Sequence, residues 1–218
     1  MDEPVDDLDE LAANLRDIAF SNRFLGGIAP VARAIRMLDA RRVLDVGSGA
    51  GDIALALVHD ARRRGVQLEV TCLDASDQML SIARRAADGD PGLSFVHADG
   101  TALPFGAGAF DAVTCTLSLH HFDPQPARAL LRELRRVARL SPVVCDLRRS
   151  PVAFAAAWLW SRTSTNRLTR HDAPLSVRRA YTPDEAIGLA RDAGWKAPTV
   201  RGERFFRMTL TDGRAAVA

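Results

Sequence analysis

Residues 43–52 read Val43-Leu44-Asp45-Val46-Gly47-Ser48-Gly49-Ala50-Gly51-Asp52, and this stretch decides the fold. A short apolar run, Arg42 to Val46, is a buried strand. It feeds a tight turn of alternating glycines, and Asp52 to Arg64 leaves the turn as a helix. Glycine is required where a ligand lies on the backbone, because a Cβ would block it. The departing helix aims unpaired N–H groups at that ligand. A dinucleotide loop would read G-x-G-x-x-G. Here the third glycine comes one residue early and Asp52 stands in the last place, which counts against a nicotinamide or flavin enzyme.

Outward from this turn, strands and helices alternate. Strands are expected at Leu68–Leu73, Leu93–His97, Phe110–Thr116 and Val143–Leu147, and helices at Ser76–Ala87 and Pro124–Leu140. That rhythm implies βαβ units and a mostly parallel sheet, an α/β domain. Upstream, Val5–Phe20 and Phe24–Leu38 read as helices. Downstream, Val152–Trp160 is an apolar helix, followed by an irregular Arg-rich stretch to Tyr181. Thr182-Pro183-Asp184-Glu185 starts another helix with a capping box, and Pro198 to Thr211 alternates as a final hairpin. No linker divides the 218 residues. The expected division is cap helices at 1–38, a core at 39–150, a helical cap insert at 151–181, and a last helix and hairpin at 182–218.

Composition narrows the class. Apolar residues make up 47% and charged residues 26%, ordinary values for a globular chain. A net charge of +2 argues for neither a nucleic-acid nor an anionic membrane partner. The acidic start lacks a signal-peptide pattern, and no apolar run nears the ~20 residues of a membrane span. A cytoplasmic protein is expected. Abundant arginine and alanine, with Lys196 the only lysine, suggest a GC-rich bacterial source. Cys72, Cys115 and Cys145 are too sparse for disulfides or zinc and fall in expected strands.

Asp74 ends the second strand, where a carboxylate can accept two hydrogen bonds from a ribose diol. Asp99-Gly100 follows the third strand, with Leu103-Pro104-Phe105 beyond. An acid there can accept from an adenine amine while apolar residues cover the ring. Taken in order, VLDVGSGAGD, LDAS, HADGTALPF, FDAVTCTLSLHHF and RELRRVARL resemble the class I S-adenosylmethionine-dependent methyltransferase family, over roughly residues 40–148. The nearest branch is that of small-molecule and quinone-biosynthetic enzymes. The resemblance implies a Rossmann-like seven-stranded sheet with an antiparallel final hairpin. It implies S-adenosyl-L-methionine as cofactor, S-adenosyl-L-homocysteine as product, and no metal.

It also implies roles. Asp45, Gly47, Ser48, Gly49 and Gly51 would surround the methionine part, Asp74 and Ala75 the ribose, Met79, Asp99 and Gly100 the adenine, and Leu117 the reactive end. The family's Pro-Gly-Gly turn is replaced by Leu140-Ser141-Pro142-Val143.

His120 and His121 are the candidate base. Adjacent residues on extended chain point oppositely, so one is expected in the cleft and the other packed. Asp146, at a strand end, either orients an acceptor or pairs with Arg148 or Arg149. Phe20, Phe24, Trp158, Trp160 and Tyr181 would wall an acceptor chamber. His171 and Asp172 belong either to a lid or to a solvated loop. The expected reaction is methyl transfer to a small aromatic or polyketide-like acceptor, on oxygen by preference and otherwise on carbon or nitrogen. The partner would be a small molecule rather than nucleic acid or membrane, and a homodimer is compatible. The rivals are an RNA or protein methyltransferase, which would want a basic groove, and a member of the fold that binds the cofactor without transferring methyl.

Overall fold

The computed structural model describes residues 26–162 and 167–213. The expected helix at 5–20 and the candidates Phe20 and Phe24 lie outside the described residues. Within them the strands are β1 (Arg42–Val46), β2 (Glu69–Asp74), β3 (Leu93–His97), β4 (Phe110–Thr116), β5 (Ala138–Leu147), β6 (Pro198–Glu203) and β7 (Arg207–Asp212). They form one sheet in the order β3-β2-β1-β4-β5-β7-β6. The first five are parallel, and β7 pairs antiparallel with both β5 and β6. The sheet is therefore Rossmann-like, with an antiparallel final hairpin.

Seven helices flank it among the described residues: α1 (Ile28–Met37), α2 (Asp52–Arg63), α3 (Asp77–Ala87), α4 (Pro124–Val137), α5 (Pro151–Ser161), α6 (Arg167–Arg179) and α7 (Pro183–Asp192). Both faces of the sheet are covered, so the inner strands read as continuous apolar runs. Val43, Val70, Cys72 and Ala112 pack with Val31, Ile35, Ile53 and Leu57. Their strand neighbours Leu44, Leu73 and Val113 point the other way, against Leu130, Leu134, Leu189 and Trp195. This is the two-residue alternation of a pleated strand.

Local chemistry sets the ends. Ser76 caps α3, its Oγ accepting from the Met79 amide at 3.3 Å. Thr182 and Glu185 form the expected reciprocal capping box of α7. Two elements differ from the sequence reading. Helix α4 stops at Val137 and β5 begins at once, because Ala138 takes extended angles (φ −78°, ψ 125°). Where the family has Pro-Gly-Gly, Ser141 instead ties β5 to β7, its Oγ donating to the Asp212 carbonyl at 3.1 Å. The stretch expected to be irregular before Tyr181 contains α6, with Pro174 inside it. Proline argues against a helix locally, but α6 packs along α5, and packing outweighs propensity.

The chain winds from β1 to β3 on one side and resumes at β4 on the other. A crevice opens beyond the carboxyl ends of β1 and β4, at the switch point of the winding. Among the described residues no helix is long and apolar enough to cross a membrane.

Candidate functional site

The glycine turn is pinned to β2: the Gly47 and Ser48 amides both donate to the Leu73 carbonyl, at 2.8 and 3.1 Å. Gly47 has φ +68°, and a Cβ there would lie 2.5 Å from Ser118 Oγ. Gly49 has φ +54°, but nothing lies within 4 Å of where its Cβ would point. One glycine thus admits a neighbouring side chain and the next leaves an open cradle. Gly51 faces away from the cradle, toward Ala83, whose Cβ would be 3.1 Å from an added one.

Acids ring this turn. Asp74 accepts from the Gly49 amide at 2.8 Å and from the Ser76 amide at 2.9 Å. A carboxylate has about four lone-pair sites, so acceptor capacity remains. Asp45 is buried and accepts from Thr114 Oγ1 at 2.7 Å. Burial pushes its carboxyl up to about 7, with the charges of Asp52 and Asp74 adding to the rise and the Thr114 hydroxyl opposing it. Asp99 gives one oxygen to the Thr101 amide at 2.8 Å, closing a turn, and still lines the cleft. Gly100 has a packing role as well, since a Cβ would lie 2.8 Å from Val46 Cγ1.

A second group sits at the end of β4. Leu117 has φ +53°, a left-handed conformation rare for leucine. Residues Leu119–His121 then form a single 3-10 turn rather than extended chain. His120 is buried and His121 exposed, yet their rings lie 4.3 Å apart, tilted by 34°, and both residues line the cleft. His120 Nδ1 lies 2.6 Å from Asp146 Oδ1. Asp146 also accepts from the His120 amide at 3.0 Å and the Leu147 amide at 2.6 Å. Burial pulls the Asp146 carboxyl upward, but the His120 ring and these amides outweigh it and hold the carboxyl below its ordinary range. Asp146 therefore pairs with His120, not with Arg148 or Arg149. Arg149 pairs with Glu185 instead.

One cleft of about 720 Å³ gathers Asp45, Gly47, Ser48, Gly49, Asp74, Ala75, Met79, Asp99, Gly100, Leu117, His120 and His121. Its outer walls come from α5, α6 and the β6–β7 turn. Two expected wall residues, Trp158 and Tyr181, lie elsewhere, as does His171. Trp158 is 46% exposed beneath the Arg162 guanidinium, while Trp160 lines the cleft. Residues two apart on a helix sit about 200° apart, so the two tryptophans face oppositely. His171 points outward and contacts Asp172, and it is Asp172 that reaches the cleft. Tyr181 belongs to the core, its hydroxyl donating to the Phe122 carbonyl at 2.6 Å. Sequence reasoning did not single out Thr116, Leu147, Phe205 or Phe206, which all line the cleft. The strand-end positions of Thr116 and Leu147 were a usable signal; nothing local marked the two phenylalanines.

Residues 43–140 match the methyltransferase domain family, and the sheet order and cradle agree with that match. Residues 43–140 thus form a methyltransferase domain of the class I, S-adenosylmethionine-dependent kind. A demethylmenaquinone methyltransferase of Clavibacter sepedonicus is 35% identical over 122 residues, 55% of this chain and 46% of that one. The chain thus spans less than half the length of that relative. A ubiquinone/menaquinone biosynthesis C-methyltransferase of Rhizobium meliloti is 33% identical over 169 residues, 71% of this chain and 64% of that one. Among solved structures, a SAM-dependent methyltransferase from Aquifex aeolicus has a TM-score of 0.66 at 17% identity, covering 94% of this chain and 98% of that one. That likeness is one of fold.

The methyltransferase cradle suits the family's cofactor. Gly49 leaves open space where a side chain would stand. Thr116 Oγ1 is buried at the cleft without a hydrogen-bond partner among the described residues. Asp45, Asp52 and Asp74 bring three carboxyl groups to the cleft, which favours a cationic ligand, with the Arg207 guanidinium also on its wall. No cluster of three metal-binding side chains occurs among the described residues.

Proposed function

We propose that this methyltransferase domain methylates a hydroxyl-bearing aromatic small molecule, with His120 as general base oriented by Asp146. The observation that carries this reading is the buried Asp146–His120 pair, set in one cleft with the glycine cradle and a largely apolar outer chamber.

S-adenosylmethionine, when bound, supplies an activated methyl group on a cationic sulfur. In this reading Asp74 takes the ribose hydroxyls on its remaining lone pairs. Asp99 meets the adenine amine, and Met79 lies near the ring. Asp45 and the glycine turn hold the methionine end, and Leu117 sits at the reactive end. Asp146 accepts the Nδ1 proton of His120, which leaves Nε2 as the basic nitrogen. Nε2 takes the acceptor's hydroxyl proton, and Asp146 pairs the imidazolium that results. The electron pair left on the acceptor oxygen serves attack from oxygen or, delocalised into the ring, from the ortho carbon, which then gives up its ring proton as the oxygen regains one and the ring its aromaticity. The Rhizobium relative's designation as a C-methyltransferase supports the carbon. Walls from α5 and α6 exclude water and orient the ring for in-line attack.

Incubation with methyl-labelled donor and a panel of phenols, hydroquinones and amines, read by mass analysis, tests the reading. His120→Gln and Asp146→Asn are each expected to lower kcat about 100- to 10,000-fold, with affinity for S-adenosylhomocysteine held within about twofold. Absence of measurable affinity for either form of the cofactor would remove the proposal.

A further inference from the structure

The hairpin between β6 and β7 turns through Arg204, Phe205 and Phe206, with Glu203 opposite Arg207. Phe205 has φ +54° and Phe206 φ +57°. Two successive residues in the left-handed region are what Asn-Gly or Gly-Gly provides without strain. A side chain with a Cβ meets its own carbonyl there, and the recorded compensation is the Arg204 guanidinium 5.7 Å over the exposed Phe205 ring, a weak contact. Burial does not explain Phe205, which is 49% exposed, and accounts for Phe206 only in part, since it is half-buried. Both residues line the cleft together with Leu147, whose β7 partner Arg207 directly follows the turn. The turn is held in place rather than loose: the Phe206 carbonyl accepts from the Arg148 amide at 2.7 Å, just beyond β5. Strained backbone fixed by its neighbours, presenting large side chains to a site, is the pattern expected of a ligand-contacting element.

We infer that the Phe205–Phe206 turn is the acceptor-reading element of the cleft, a pair of ring faces that selects flat aromatic acceptors over saturated ones of equal size. The inference rests on the reading of the outer cleft as the acceptor site. Aromatic faces stack on flat rings and gain far less from puckered ones. A turn designed for folding alone would carry Asn-Gly, so the two phenylalanines sacrifice hairpin stability for contact surface.

The test compares the wild-type protein with the variant F205N/F206G and the ring-keeping variant F205Y/F206Y. Each is measured by calorimetry, saturated with S-adenosylhomocysteine, against 2-naphthol and its saturated counterpart decahydro-2-naphthol. Wild type is expected to bind naphthol at least about tenfold more tightly than the saturated alcohol. F205N/F206G is expected to lose that preference, and F205Y/F206Y to keep it. The melting temperature of F205N/F206G should rise by a few degrees, as a relaxed turn requires, with affinity for S-adenosylhomocysteine unchanged. Equal naphthol preference in wild type and F205N/F206G, or no preference in wild type, overturns the inference. So does a fall in melting temperature together with weaker S-adenosylhomocysteine binding, which would make the turn a structural element. Naphthol selectivity that follows the rings in a protein that methylates nothing would leave the inference standing and sink the transferase reading alone.

Discussion

Asp45 is the residue where burial and charge conflict most. Its carboxyl is pushed to about 7 from an ordinary 3.8, first by burial and then by Asp52 and Asp74. Below about pH 4 it is protonated whether the chain is folded or not, and folding suffers no penalty. Between about pH 4 and 7 the unfolded chain ionises while the folded one holds its proton, so the folded state binds more protons and stability falls as pH rises. About three pKa steps amount to on the order of 4 kcal/mol. Asp45→Asn removes the group that titrates. Thermal melts of the cofactor-free proteins should therefore show wild type losing stability relative to Asp45→Asn from pH 4 to 7, with a constant gap above about pH 8. Parallel curves across that range would mean Asp45 ionises normally. A cationic ligand beside Asp45 favours its ionised form, so the same residue that weakens the empty fold is suited to the filled one.

At the scale of elements, the strand–turn–helix unit works because its glycines meet different demands. Gly47 needs a positive φ and also has no room for a Cβ, with Ser118 Oγ 2.5 Å away. Gly65, after α2, has φ +69° and open space around it. Gly65→Ala should therefore show the backbone penalty alone, about 1–2 kcal/mol. Gly47→Ala adds overpacking at the β4 end, about 1–3 kcal/mol more, and should also weaken S-adenosylhomocysteine binding. Chemical denaturation of both variants separates the two effects, and equal losses would show that Ser118 gives way. The His120–Asp146 pair depends on a different kind of element contact. It spans the ends of β4 and β5, which are parallel neighbours with Thr116 opposite Cys145. The 3-10 turn after β4 then swings His120 inward over Asp146.

For the molecule as a whole, the sheet order brings the glycine turn and the outer chamber walled by α5, α6 and the β6–β7 turn to one crevice, and a ligand there should stabilise the entire fold. At about 100 times its Kd, a ligand adds about 2.7 kcal/mol, or roughly 5–10 °C in melting temperature for a chain of this size. S-adenosylhomocysteine should produce that shift in wild type, and Asp74→Ala should abolish most of it at the same concentration. An undiminished shift in Asp74→Ala would refute the ribose role. The sequence by itself determined the glycine-turn half of the cleft: the strand, the turn, and the acids at the ends of β2 and β3. Those features are encoded by adjacent residues, and their geometry follows from backbone angles that glycine adopts without strain and from a helix start that Ser76 can cap. The outer half of the cleft was legible only in outline. Trp160 rather than Trp158 faces the cleft because of the rotational setting of α5, which its uniformly apolar sequence does not define. Helix α6 forms through Pro174 because it packs on α5. His120 finds Asp146 across 26 residues of sequence, and Phe205 and Phe206 reach the cleft through the β5–β7 pairing. Each of these contacts is set by strand order and register, and such long-range pairings leave no periodic trace in the chain that forms them.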